Sequence, residues 1–295
     1  MPAVLWDVHC HFPRDWEQPE GSDPAPLVDA RAEALLAAGV TRASLLAGGR
    51  FGPSYEIAIE QARRYEELFV PVAVVDPGET WAGEIRRLHE LGYRGLKIIG
   101  TRHPYDDYRY FDVYGAAEEL RMPILFHLGV IGGGVDYART HPRRDTEAAE
   151  TLRRMRERGR MQPRDVSATR MRPFHLDGIA NSFPQLPIIG AHMGGTGNYD
   201  EAASVARWRH QVLFDLSGGD TIERHAVERR LIGQEIGVEK LVWGSDCRDD
   251  EISAHVDSLA RILDEVGLTA EEAARIRYHN AAELFGEEEP QLAGG

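Results

Sequence analysis

The chain has 295 residues, 42% hydrophobic and 28% charged, enough apolar material for a substantial core, which excludes a disordered chain. A net charge of −14 leaves no basic footprint for a phosphate backbone or an anionic bilayer, so nucleic acid and membrane are not expected as partners. The start, Met1 to Asp7, lacks a basic segment followed by a cleavable apolar stretch, and no apolar run approaches the roughly 20 residues of a spanning helix, so a cytoplasmic protein is expected.

Short β-rich runs alternate with amphipathic stretches, the pattern of repeated strand-helix units around a parallel sheet. In chain order the strands are expected at residues 3–9, 42–47, 69–76, 94–99, 123–128, 187–192, 212–216 and 240–245. The helices between them are expected near 27–38, 54–67, 80–91, 111–120, 174–183, 199–209, 222–235 and 252–266, with a closing helix at 270–285. Runs such as Val70-Pro71-Val72-Ala73-Val74-Val75 suit strands covered on both faces.

The arithmetic predicts an α/β fold, a (β/α)8 TIM barrel spanning residues 1–286 as a single domain, with a flexible tail at 287–295. An open doubly wound sheet would want a glycine-rich turn after its first strand, where Asp7-Val8-His9-Cys10-His11 stands instead. One connection, about 131–173, exceeds the usual limit of about 15 residues for a structureless loop. It is read as a helical insertion after strand five, with a helix over 145–158, and is rich in arginine. Those arginines suit an anionic substrate, a subunit contact, or pairing with Glu147, Glu150 and Glu157 on a solvated helix. Cys10 and Cys247 are too few for a disulfide framework and are read as small buried hydrophobes.

In a regular strand alternate side chains share a face, so Asp7, His9 and His11 are expected to point into the barrel while Val8 and Cys10 point out. His127 ends strand five, His192 ends strand six and Asp246 completes strand eight, all at the carboxyl rim where barrel active sites are built. Strands one and eight become neighbours on closure, so Asp246 should face His9 and His11. Any one of these histidines could be a satisfied core residue; four with a carboxylate at one rim are read as a metal site.

The Asp-x-His-x-His start, Gly95-Leu96-Lys97, His127, the segment from Phe183 to Gly195, Trp243-Gly244-Ser245-Asp246 and the segment Asn280 to Gly286 resemble the amidohydrolase superfamily. Within it, the chain is similar to the amidohydrolase-2 group related to aminocarboxymuconate semialdehyde decarboxylase. The resemblance implies that His9, His11, His127 and Asp246 bind one divalent metal, Zn first and Mn or Fe as alternatives, with His192 close by as a catalytic group. In a binuclear variant His192 and Lys97 would join the ligand set, Lys97 as a bridging carbamate. Related barrels are often dimers, which leaves a homodimer open.

Arg50, Lys97 and Arg102 are candidate contacts for a small anionic substrate. His103, which follows strand four beside Arg102, is a further candidate clamp; His175, Trp16 and Tyr105 are weaker candidates, and His89, His210 and His255 read as surface positions on helices. The expected chemistry is hydrolysis of a carboxylate-bearing amide, lactone or ester, with Asp246 as general base and His192 stabilising negative charge developing on oxygen. Three alternatives stay open: a metal-dependent decarboxylase with the same ligands, a metal-free lactonase, and a barrel kept only for binding.

Overall fold

A computed structural model describes residues 4–13, 22–49, 52–131 and 167–287. Its eight parallel strands lie side by side in chain order: β1 Trp6–His11, β2 Arg42–Ala47, β3 Phe69–Val75, β4 Gly95–Ile98, β5 Ile124–Phe126, β6 Ile188–Gly190, β7 Val212–Asp215 and β8 Leu241–Val242. Two backbone bonds bring the last strand against the first: Val8 N–H to the Trp243 carbonyl and Asp246 N–H to the His9 carbonyl, each 2.9 Å. Helices run between the strands, and the fold is a TIM barrel.

Alternation along the strands divides the core in two. Val70, Val72 and Val74 of β3 join Leu46, Leu125, Ile189, Leu213 and Val242 in a cluster along the barrel axis. Phe69, Ala73 and Val75, from the opposite face of the same strand, pack with Val28, Leu35, Ile85 and Leu88 of the surrounding helices. A strand sandwiched in this way has no polar face, which is why its sequence reads as a continuous apolar run.

The amino end of the barrel is closed by the last helical stretch. Thr269 opens it with a reciprocal cap to Glu272, and it proceeds as helix Ala270–Ala274, one π turn at Arg275–His279 and helix Asn280–Phe285. Trp6 stacks on Phe285 with ring centres 5.3 Å apart and leans on Tyr278 at 5.6 Å, while its indole N–H donates to Ser44 Oγ at 3.0 Å. Glu287, expected in the tail, pairs with Arg42. The expected helix at 145–158 and most of the insertion lie outside the described residues. No described helix is long and apolar enough to cross a membrane.

Candidate metal centre

The first strand breaks the alternation expected of it. Between Asp7 and Cys10, β1 spends three steps while β2 spends two, from Ala43 to Leu45, so one extra residue bulges at Val8 and His9. Below the bulge Trp6 and Val8 face the axis. Beyond it His9 and His11 reach the polar cluster, whereas Cys10 packs outward with the helices. Asp7 therefore does not share the histidine face, contrary to the simple period. Its carboxylate accepts from Ser245 N–H at 2.9 Å, Ser245 Oγ at 2.5 Å and His9 N–H at 2.9 Å, so it fastens the ends of β1 and β8 together. Burial raises its pKa, against the lowering effect of those bonds.

That fastening sets Asp246 opposite the two histidines. Asp246 Oδ1 lies 3.3 Å from His11 Nε2 and 3.8 Å from His9 Nε2, and one donor atom from each of the three falls within 4.8 Å of the others. The approach requires glycine at 244, because a methyl group there would sit 2.5 Å from His9 Cβ. Asp246 itself has φ 46°, a conformation side chains avoid except under structural constraint.

His127 and His192 form the other side of the cluster. His192 Nε2 is 3.2 Å from His127 Nδ1 and 3.7 Å from Asp246 Oδ2. The loops after β5 and β6 touch backbone to backbone, since a side chain on Gly195 would meet Gly129 Cα at 2.7 Å. β6 ends earlier than expected because the chain turns left-handed at His192 and Met193, φ 58° and 51°, swinging the imidazole over the barrel mouth. Tyr105, considered only weakly as a site residue, is buried, and its hydroxyl donates to the His127 carbonyl at 2.8 Å.

Lys97, wholly buried on β4, places Nζ 3.0 Å from His9 Nε2. Burial lowers its pKa to about 8 against the pull of Asp246 and Asp215, so at neutral pH it is mostly an ammonium. Burial also lowers His192, to about 4, against the opposing pull of Asp215 and Asp246, and holds His127 well below the usual range, where His192 and Lys97 add to the effect. For Asp246 burial acts the other way, but His9, His11 and His192 outweigh it and the carboxyl stays well below its ordinary value.

Two buried residues escaped the sequence reading. Asp215, the last residue of β7, has Oδ2 2.8 Å from His9 Nδ1, and Ser217 Oγ lies 2.9 Å from His192 Nδ1. The available signal was Asp215-Leu216-Ser217: two polar side chains with strand spacing at the carboxyl end of a barrel strand. Burial opposes ionisation of Asp215, yet His9, His192 and Ser217 carry the balance and keep it charged.

The donor chemistry fits a divalent cation. Two carboxylates held ionised, buried Asp215 and half-buried Asp246, face one ammonium, Lys97, so balance requires imidazole protons or a bound cation. Of the remaining candidates, Arg50 and Trp16 lie outside the described residues, and Arg102 is exposed on the loop after β4. The His103 N–H donates to Tyr110 at 3.0 Å, and His175 pairs with Asp106 at 2.8 Å. A cleft of about 290 Å³ lined by Tyr55, Val74, Trp81 and Ile99 opens beside the ends of β2, β3 and β4 on the same rim.

The sequence profile described as Amidohydrolase matches residues 6–286. The chain belongs to the amidohydrolase family. The resemblance read from its motifs thus holds at family level, including its amidohydrolase-2 group. No curated protein matches the sequence. Among solved structures, 2,6-dihydroxybenzoate decarboxylase from Rhizobium is 18% identical, with 97% of this chain and 99% of that one covered and a TM-score of 0.58. A protein from Acinetobacter baumannii described as a probable 2-pyrone-4,6-dicarboxylic acid hydrolase, with citric acid bound, is 16% identical over 97% and 100% of the two chains, TM-score 0.61. 5-Carboxyvanillate decarboxylase from Novosphingobium aromaticivorans, complexed with manganese and a nitrobenzoic acid, is 15% identical over 96% of each chain, TM-score 0.60. At these identities the likeness carries the fold.

Proposed function

We propose that this amidohydrolase is a divalent-metal-dependent hydrolase of a small carboxylate-bearing lactone, ester or amide. His9, His11 and Asp246, joined by His127, would hold the cation, and imidazole with carboxylate suits Zn, Mn or Fe. The observation that carries the reading is the His9, His11 and Asp246 trio, whose donor atoms share reach of one ion.

When bound, the metal supplies Lewis acidity, making water at the site a stronger acid and the substrate carbonyl a better electrophile. Asp246 is the general base: its carboxyl is held ionised, so it can take a proton at neutral pH. His192, 3.7 Å from Asp246 Oδ2, is the neighbouring group through which a proton can reach the leaving atom. Lys97 is the buried cation that meets the substrate carboxylate, and Arg50 is retained as a candidate clamp after β2.

Hydrolysis is preferred because Asp246 and His192 are both unprotonated at neutral pH. Water attack needs a proton acceptor; loss of carbon dioxide from an aromatic or enolic acid needs a proton delivered to carbon. Decarboxylation is the second reading, supported by the likeness to 2,6-dihydroxybenzoate and 5-carboxyvanillate decarboxylases. The two reactions move protons in opposite directions. Protein loaded with Zn²⁺ or Mn²⁺ is screened against lactones, amides and carboxylated phenols with a pH indicator and a carbon dioxide assay. Acid release from a lactone, or amine release from an amide, without carbon dioxide supports hydrolysis, whereas proton uptake with carbon dioxide overturns it in favour of the lyase. Elemental analysis of His127→Ala tests the ligand set: full metal content in that variant rejects His127.

A further inference from the structure

Asp215 receives four donors. His9 Nδ1 approaches Oδ2 at 2.8 Å, while the His192 N–H at 2.7 Å, the Ser217 N–H at 3.1 Å and the Ser217 hydroxyl at 2.5 Å all meet Oδ1. An ionised carboxylate has no proton to give, and two oxygens 2.5 Å apart need a hydrogen between them, so the Ser217 hydroxyl hydrogen is committed to Asp215 Oδ1. Ser217 Oγ can then only accept from the two rings it touches, His192 Nδ1 at 2.9 Å and His9 Nδ1 at 3.2 Å. Both Nδ1 atoms must carry hydrogen. In the neutral rings, both Nε2 atoms then present lone pairs.

We propose that Asp215 and Ser217 are positioning residues that set the tautomers of His9 and His192 together, leaving His9 Nε2 free to donate to a cation and making His192 Nε2 a proton acceptor toward the site. Other contacts agree. The Lys97 ammonium faces His9 Nε2 at 3.0 Å, an arrangement that requires a lone pair on that nitrogen. The two rings stack with centres 5.2 Å apart, and the bond from His192 N–H to Asp215 ties down the left-handed residue that carries the ring. One aspartate thereby orients a metal-binding imidazole and a catalytic one. In this tautomer His192 would stabilise negative charge on oxygen only after taking up a proton.

The consequence for catalysis rests on the metal-dependent reading above; the tautomers do not. Protein labelled with ¹⁵N at histidine is examined metal-free by two-bond ¹H–¹⁵N correlation, with His9→Gln and His192→Gln used for assignment. Both parent rings should show the Nδ1–H pattern. Ser217→Ala should disturb the His192 pattern while His9, still held by Asp215, keeps its own. In Asp215→Asn both patterns should change, and Zn²⁺ affinity measured by chelator competition should fall roughly ten- to a hundredfold, whereas Ser217→Ala should stay near the parent value. An Nε2–H pattern on either parent ring, an unchanged His192 in Ser217→Ala, or parent-like Zn²⁺ affinity in Asp215→Asn overturns the proposal. Should Asp215→Asn fail to fold by circular dichroism, the parent and Ser217→Ala spectra decide alone. A parent protein that binds no Zn²⁺ overturns the metal reading and leaves the tautomers to the spectra.

Discussion

The two ends of the barrel are built on opposite principles. At the amino end Trp6 is sandwiched among Phe285, Tyr278 and Arg42, with a single buried hydrogen bond to Ser44. At the carboxyl end four histidines, two aspartates, a lysine and a serine are crowded together, and the backbone is left-handed at His192, Met193 and Asp246. Burying apolar area lowers the free energy of the fold, whereas burying these polar groups in strained conformations raises it. The comparison teaches that stability is concentrated where Trp6 sits and chemistry where it is costly to build.

The sharpest way to break this division is at Asp246. Asparagine tolerates positive φ, so Asp246→Asn should fold, keep its melting temperature, and lose roughly 10²–10⁴ in turnover of whichever substrate the indicator screen identifies. Retained turnover would remove Asp246 as the base. At the other end, Trp6→Ala should cost about 3–5 kcal/mol in urea denaturation while Zn²⁺ stoichiometry is unchanged. If metal is lost as well, the two ends are not separable.

Gly244→Ala tests the seam between them. A methyl group 2.5 Å from His9 Cβ must move the imidazole, so a stability loss of about 1–3 kcal/mol together with weakened Zn²⁺ binding is expected. The smallest effect is in pH. In the metal-free protein the folded His192 accepts a proton only near 4, with an ordinary value of 6.5 when unfolded. Between those values the unfolded chain holds the extra proton, so stability falls as pH drops through 6.5 and the loss is complete below about 4. His127, shifted the same way, adds to the slope. Chemical denaturation from pH 7 to 4 should show on the order of 1 kcal/mol lost per pH unit for each proton, and His192→Asn should flatten the curve by one proton's share.

How much of this was legible beforehand depended on whether the signal was periodic. Alternating apolar runs and amphipathic stretches repeat along the chain, so the barrel and the rim positions of His127, His192 and Asp246 followed from counting. Asp7 was misplaced because a strand period carries no warning of the extra residue at Val8 and His9, which is imposed by contacts with β2. Strand eight was drawn too long because Ser245 N–H leaves the ladder for the Asp7 carboxylate, a contact 238 residues away in sequence. Asp215 and Ser217 were passed over because a lone Asp-x-Ser looks like an ordinary turn until the histidines it meets are known. The decarboxylase and hydrolase alternatives share one ligand set, and residue types alone do not separate them.

The bulge in β1 lets even-numbered residues near the floor and odd-numbered residues near the mouth occupy the same axis. Removing Val8 would restore a strict period in which Trp6, His9 and His11 all still turn inward. Each imidazole would nevertheless sink by one residue rise, about 3.3 Å, while Asp246 stayed at its present height on the neighbouring strand. The barrel would then hold the right donors at the wrong depth, so the inserted residue serves as a spacer that levels one wall of the cup against the other.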